Sequence, residues 1–236
     1  MRCSTCDELE NKIKSSTEVE RRKHRNSMHV HLHQANSQRK YYESLRDIAL
    51  RAKYPVSMWV LSTDGMDQSK TTMPHPRRET KSTEPWHGLM THVVSTVIFG
   101  APVPLLGFVN LADIAKNSSL TAQTLMRTLE IQWKKLVEMK QASDDYARAN
   151  ALPVVEGPIP AGSWPERLHI CFVDNAVGEN MNKNVFMTLA IFVHHRVFKE
   201  VSIGTFFVGH THNINDQMFR VWRKYLDRTP VLSVKS

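Results

Sequence analysis

From Ser57 onward the apolar residues of this chain fall into five short runs and three periodic stretches, in an order that few architectures accommodate. MWVLST at 58–63, HVVSTVIFG at 92–100 and PLLGFVN at 104–110 are bounded by turn signals and predict three successive strands. Leu125, Met126, Leu129, Trp133, Leu136 and Val137 then recur at three- and four-residue spacing. That period predicts a helix over about 119–141, with Asn117 to Ser119 at its entrance. The prolines of NALPVVEGPIPAGSWPE break the chain, after which LHICFV at 168–173 predicts a buried strand. A helix over 180–196 and a strand VSIGTFFV at 201–208 follow, and Met218, Phe219, Trp222, Tyr225 and Leu226 give a last helix one apolar face.

The resulting order, β-β-β-α-β-α-β-α, is that of the ribonuclease H-like core, a mixed α/β sheet carrying helices on both faces, and it is expected over residues 54–229. Between the first two strands, DGMDQSKTTMPHPRRETKSTEPWHG reads as a long loop, and 230–236 as a tail. Residues 1–53 differ from the rest. They are polar and strongly charged, with helices expected around 7–25 and 36–52 and few large apolar residues. Such a segment cannot build a core unaided and needs a metal, a partner or the rest of the chain.

A chain of 236 residues can bury one substantial core, and 41% hydrophobic with 23% charged residues excludes a disordered or fibrous protein. Its net charge of +8 favours polyanionic partners, nucleic acid or an anionic surface. No stretch has the eighteen or so apolar residues of a spanning helix, and MRCSTCDELENK lacks an apolar signal core, so an intracellular protein with no membrane partner is expected. Three cysteines cannot make a disulfide framework, and Cys171, inside an apolar run, reads as a buried thiol.

Three acids fall at informative places: Asp64 ends the first strand, Asp174 ends the fourth, and Asp216 begins the last helix. In an open α/β sheet such positions converge on one edge crevice. Clustered carboxylates persist where a cation neutralises them, and hard oxygen ligands suit Mg²⁺ or Mn²⁺. Two such ions about 3.5–4 Å apart can activate an attacking oxygen and stabilise a leaving one, which is nuclease and transposase chemistry. The alternative is that each Asp is a turn residue or helix cap, and Asp67, Asp113 and Glu179 are further acids that could substitute in the set.

GHTH at 209–212 resembles the closing motif of calcineurin-like metallophosphoesterases, but their other motifs are missing: the first strand gives DGM rather than Asp-x-His. DGMDQSK at 64–70, DNAVGENMN at 174–182 and GHTHNINDQ at 209–217 together resemble a family of eukaryotic proteins derived from mobile elements and designated only as a domain of unknown function. Its members carry Asp-Gly-Met-Asp-Gln, Asp-Asn-x-x-x-Glu-Asn-Lys-Asn and Gly-His-Thr-His-x-x-x-Asp-Gln. The resemblance implies a ribonuclease H-like fold and Asp64, Asp174 and Asp216 as metal ligands, with Asn175, Glu179, Asn180, His210 and His212 close by. His210 or His212 would orient a phosphate, shuttle a proton or complete the metal shell, and Lys70 would meet a phosphate as a point charge. This chain departs from the pattern at Ala176, at Met181 and at Asn213, Ile214 and Asn215, where the family carries Cys, Lys and acidic residues.

Cys3-x-x-Cys6 is half of a tetrahedral zinc site, and MHVHLHQ supplies His29, His31 and His33. His29 and His33 share a helix face at i, i+4, while all three share a face if the segment is extended. The resemblance includes a Cys pair and a downstream His here. The plain alternative is two reduced surface thiols beside a solvated His-rich turn. Zinc bound there would fasten the helical segment rather than catalyse, and ERRKHR at 20–25 with QRK at 38–40 would track a phosphate backbone or form an ordinary charged surface.

The expected function is therefore a transposase- or integrase-like nuclease, or its descendant, acting through an Asp triad on nucleic acid, DNA before RNA, in the nucleus. An inactive domesticated nucleic-acid-binding protein is the alternative, and a metallophosphoesterase using GHTH a third.

Overall fold

A five-stranded mixed sheet organises the computed structural model, which describes residues 3–51, 56–66, 91–111, 117–173, 180–206 and 214–228. The strands are β1 (Met58–Gly65), β2 (Thr91–Phe99), β3 (Leu105–Leu111), β4 (Arg167–Phe172) and β5 (Glu200–Thr205), in the spatial order β3-β2-β1-β4-β5. β2 runs antiparallel to β1 and β3, while β4 and β5 run parallel to β1. Five helices complete the described chain: α1 (Ser4–Ser15), α2 (Glu18–Arg51), α3 (Ser118–Ala149), α4 (Lys183–His194) and α5 (Ile214–Arg228). The α/β order expected from Ser57 onward is present.

Strand alternation divides the sheet into two unlike faces. Trp59 and Leu61 of β1, with Leu168, Ile170 and Phe172 of β4, pack beneath Leu125, Leu129 and Leu136 of α3 and Val185 and Leu189 of α4. Trp164, from the proline-broken stretch, seals this layer: its ring lies 4.8 Å from Trp59 and its Nε1 donates to Val197 O at 2.8 Å. On the other face Met58, Val60 and Cys171 meet Tyr42 and Ala49 of α2, and α5 lies alongside against β1 and β2. Gly100 permits the close approach of α2. Its φ is +85°, and a Cβ there would meet Ala49 O at 3.0 Å and Met58 O at 3.3 Å.

The amino-terminal helices differ from the expected 7–25 and 36–52. The break falls at Ser16 and Thr17, and α2 then runs unbroken to Arg51. Thr17 and Glu20 form the break's restart signal, since Glu20 Oε2 accepts from the Thr17 amide at 3.2 Å and its hydroxyl at 2.8 Å, half of a capping box. No Gly or Pro lies between Glu18 and Arg51 to stop the helix again. His24, Met28, His31, Ala35, Gln38, Tyr42, Leu45 and Ala49, spaced alternately by four and three, are its inward positions.

α3 also continues beyond the expected 141, to Ala149. Lys140 pairs with Asp144 in a largely buried contact, and Arg148 reaches Asp145 at 3.0 Å, so polar residues extend the helix by pairing within it. It stops in a Schellman turn, in which the Ala151 amide bonds Arg148 O at 3.3 Å and the Leu152 amide bonds Ala147 O at 2.8 Å. Among the described residues no helix is long and apolar enough to cross a membrane.

Candidate functional site

Because β1 and β4 are parallel, their carboxyl ends share one edge of the sheet. Val173 closes this edge, its amide donating to Thr63 O at 3.2 Å. Asp64 stands at the end of β1, half-buried, its Oδ1 accepting from the Gly65 amide at 2.8 Å. Beside it Thr63, Gly65, Asn117, Thr121 and Asn180 line a small cleft with Asp64. Two of the sequence-predicted residues, Asp64 and Asn180, are thus brought together.

The helices that flank this cleft begin at it. Asn117 caps α3 by accepting from Ser119 N at 2.9 Å and Leu120 N at 3.3 Å, and Asn182 caps α4 through Asn184 N and Val185 N. The two starts are tied together: Asn184 Nδ2 donates to Ser118 Oγ at 2.9 Å and Thr121 Oγ1 to Asn180 Oδ1 at 3.3 Å. The positive ends of two helix dipoles therefore face the same edge, a setting that favours anions.

α5 is fastened to the same end by a residue that the sequence marks only as a departure from the resembled pattern. Asn215 is fully buried; its Nδ2 donates to Ser62 Oγ at 2.8 Å and its Oδ1 accepts from Ser95 Oγ at 3.2 Å. Ser62 precedes Asp64 by two residues on one strand face, and Ser95 is the register partner of Asp64 on β2. Asp216, next in the chain and half-buried in the first turn of α5, is thereby set at the sheet end that carries Asp64. The amide lets the bridge form without charge, whereas a carboxylate here would accept from both hydroxyls and bury an anion. That gives the departure at Asn215 a structural role. Burial pushes the nearby Tyr42 phenol up to about 12, against the pull of the Ser62 hydroxyl.

Asp174, Asn175, Glu179, His210, His212 and Lys70 lie outside the described residues, as do Asp67 and Asp113. Cys171 is buried beside Met58 and Val60, and desolvation raises its thiol to about 12, which keeps it protonated and inert.

A second cluster forms where α1 folds back on α2. Cys3 and His31 are equidistant along the chain from Thr17, so an antiparallel helix pair hinged there brings them opposite each other. Arg21, bonding Ile13 O at 3.1 Å, marks the same pairing nearer the hinge. Cys3 Sγ lies 3.2 Å from His31 Nε2, and with Cys6, one helical turn on, the three ligand atoms lie within 4.8 Å of one another. Tetrahedral zinc with bonds of about 2.0–2.3 Å spaces its donors at roughly 3.3–3.8 Å, so Cys3 and His31 stand close to that spacing, Cys6 lies within about an ångström of it, and the soft sulfur and imidazole donors suit the ion. Desolvation, then the hydrogen bond and charge of Cys3, then Glu10 and Asp7 raise the Cys6 thiol to about 11, and a cation would relieve that repulsion. His29 and His33 are exposed on the outer side of α2 and do not join the group. The signal that selects His31 was present in the sequence, in the Thr17–Glu20 cap that fixes the hinge.

A family model described as a domain of unknown function (DUF7869) matches residues 155–236, which span β4, α4, β5 and α5. No curated protein and no solved structure matches the chain.

Proposed function

We propose that the protein is, or descends from, a mobile-element transposase or integrase that transfers phosphoryl groups on nucleic-acid strands from a ribonuclease H-like scaffold. The observation that carries this reading is the Asn215 bridge, which holds Asp216 at the strand end bearing Asp64. Chain order places Asp174 one residue after Val173, whose amide bonds the residue preceding Asp64. The strand order β-β-β-α-β-α-β-α agrees with the proposed scaffold.

Mg²⁺ or Mn²⁺ held by Asp64, Asp174 and Asp216 would activate the attacking oxygen and neutralise the leaving one. The chain's own groups would do the rest. The helix starts at Asn117 and Asn182 favour the phosphate, Asn180 would hydrogen-bond at its edge, and Lys70, Asn175, His210 and His212 of the three motifs would supply further contacts. A cationic chain suits such a polyanion, and DNA in the nucleus is the proposed substrate. Zn²⁺ on Cys3, Cys6 and His31 would serve structure alone, clasping α1 to α2.

The test is Mn²⁺ binding by calorimetry to the zinc-loaded protein and to its Asp174→Ala variant, alongside strand cleavage. Binding and cleavage lost together in the variant support the reading. Both surviving unchanged would sink it. A second reading, an inactive nucleic-acid-binding protein, is favoured by the amide at Asn215 and by Met181, where the resembled pattern carries charge; it requires strand binding without Mn²⁺ binding.

A further inference from the structure

The cations of α3 and of α5 are used differently. On α3, Arg127, Lys134, Lys135, Lys140 and Arg148 each pair with an acid of the same helix. On α5, Arg223 has a partner, whereas Arg220, Lys224 and Arg228 are exposed and no described carboxylate forms an ion pair with them. They follow Asp216 at steps of four, so the four residues form one stripe that turns by about 40° per step and advances by about 6 Å. The stripe starts half-buried at the carboxylate and becomes exposed at the first cation. Val221 and Tyr225, 59% and 57% exposed, stand beside it, and such an aromatic face in water suits stacking of an unpaired base.

We infer that a single nucleic-acid strand leaving the Asp64 and Asp216 end runs outward along α5, its successive phosphates against Arg220, Lys224 and Arg228 and a base on Tyr225. The inference rests on the phosphoryl-transfer reading and adds the path of the substrate. Guanidinium and ammonium groups that no described carboxylate pairs, at near-regular intervals beginning at a proposed metal ligand, match a phosphodiester chain better than a compact anion. Binding by this track is electrostatic and needs no divalent ion.

The experiment measures affinity of the zinc-loaded full chain for a labelled single-stranded DNA and the RNA of the same sequence, across salt concentrations and without Mg²⁺ or Mn²⁺. It compares wild type, Arg220→Ala/Lys224→Ala/Arg228→Ala, and a control that also removes three exposed cations, Lys134→Ala/Lys135→Ala/Arg148→Ala. Three lost phosphate contacts are expected to reduce the slope of log affinity against log salt by about 2 in the α5 variant and not in the control. The preferred strand then identifies the sugar. An equal fall in both variants, or none in the α5 variant, overturns the track while wild-type binding leaves the phosphoryl-transfer reading standing. Wild type binding neither strand overturns both.

Discussion

The α1–α2 hairpin and the sheet body are held by different forces. In the sheet body Trp59, Leu61, Ile98, Ile170, Phe172 and Phe198 are almost wholly removed from water, and each large side chain of this kind contributes about 1.5–3 kcal/mol. α1 buries none of its own residues, and the amino-terminal part of α2 first buries one at Ala35. Val19, Val30 and Leu32 face solvent instead. The same helix α2 passes from one regime to the other, since Tyr42, Leu45 and Ala49 dock on the sheet while His31 stands opposite Cys3. A segment that gains so little from burial can be fixed by a coordinated ion, because binding energy then substitutes for a core.

The largest expected effect lies in the sheet body. Phe172→Ala removes a ring at 0% exposure between α3, α4 and β1, and is expected to cost about 3–5 kcal/mol, read as a lower urea midpoint at unchanged slope. A cost under about 1 kcal/mol would mean that this face is not the structural centre, and the contrast between the two regions would fail.

Chelation acts on the other side of the comparison. Removing zinc is expected to abolish part of the helical circular dichroism, from α1 and the start of α2, while leaving the tryptophan emission of Trp59, Trp133 and Trp164 unchanged. Those three rings share one cluster on the α3 side of the sheet, far along the chain from Cys3. Zinc at about 100 times its dissociation constant would add roughly 2.7 kcal/mol to whatever unfolds with the site. Loss of both signals together would show that hairpin and sheet unfold as one unit.

The two regions were also unequally legible in the sequence. The five strands stood out because short apolar runs between turn signals have few other uses, and Asp64 followed from its place at a strand end. The sequence predicts two helices where α2 runs as one, because the inward positions between them, Met28, His31 and Ala35, include a single large apolar residue and carry no apolar period. The predicted α3 ends early, where Lys140 and Asp144 satisfy each other, a pairing that composition alone registers only as charge. Asn215 is legible in the sequence only as a departure from the resembled pattern, and its structural part is hidden for a different reason. Its partners Ser95 and Ser62 are 120 and 153 residues away, so nothing local distinguishes it from a surface amide until α5 docks.

The smallest effects give the sharpest test of the hairpin, because they separate three histidines within five residues. His31→Ala removes a donor 3.2 Å from Cys3 Sγ, and zinc affinity is expected to fall by more than the roughly 10–100-fold that loss of an outer-shell partner costs. His29→Ala and His33→Ala sit about 200° around the helix from His31, on the exposed side, and are expected to leave zinc affinity unchanged. Zinc titration of the three variants against a colorimetric chelator reads all of this at once. Equal losses in the three would mean that this stretch is extended around the ion rather than helical, which would also break the equidistance of Cys3 and His31 from Thr17. Loss in His31→Ala alone would fix the register of the hairpin from solution chemistry, and with it the side of α2 on which Arg22 and Lys23 face solvent.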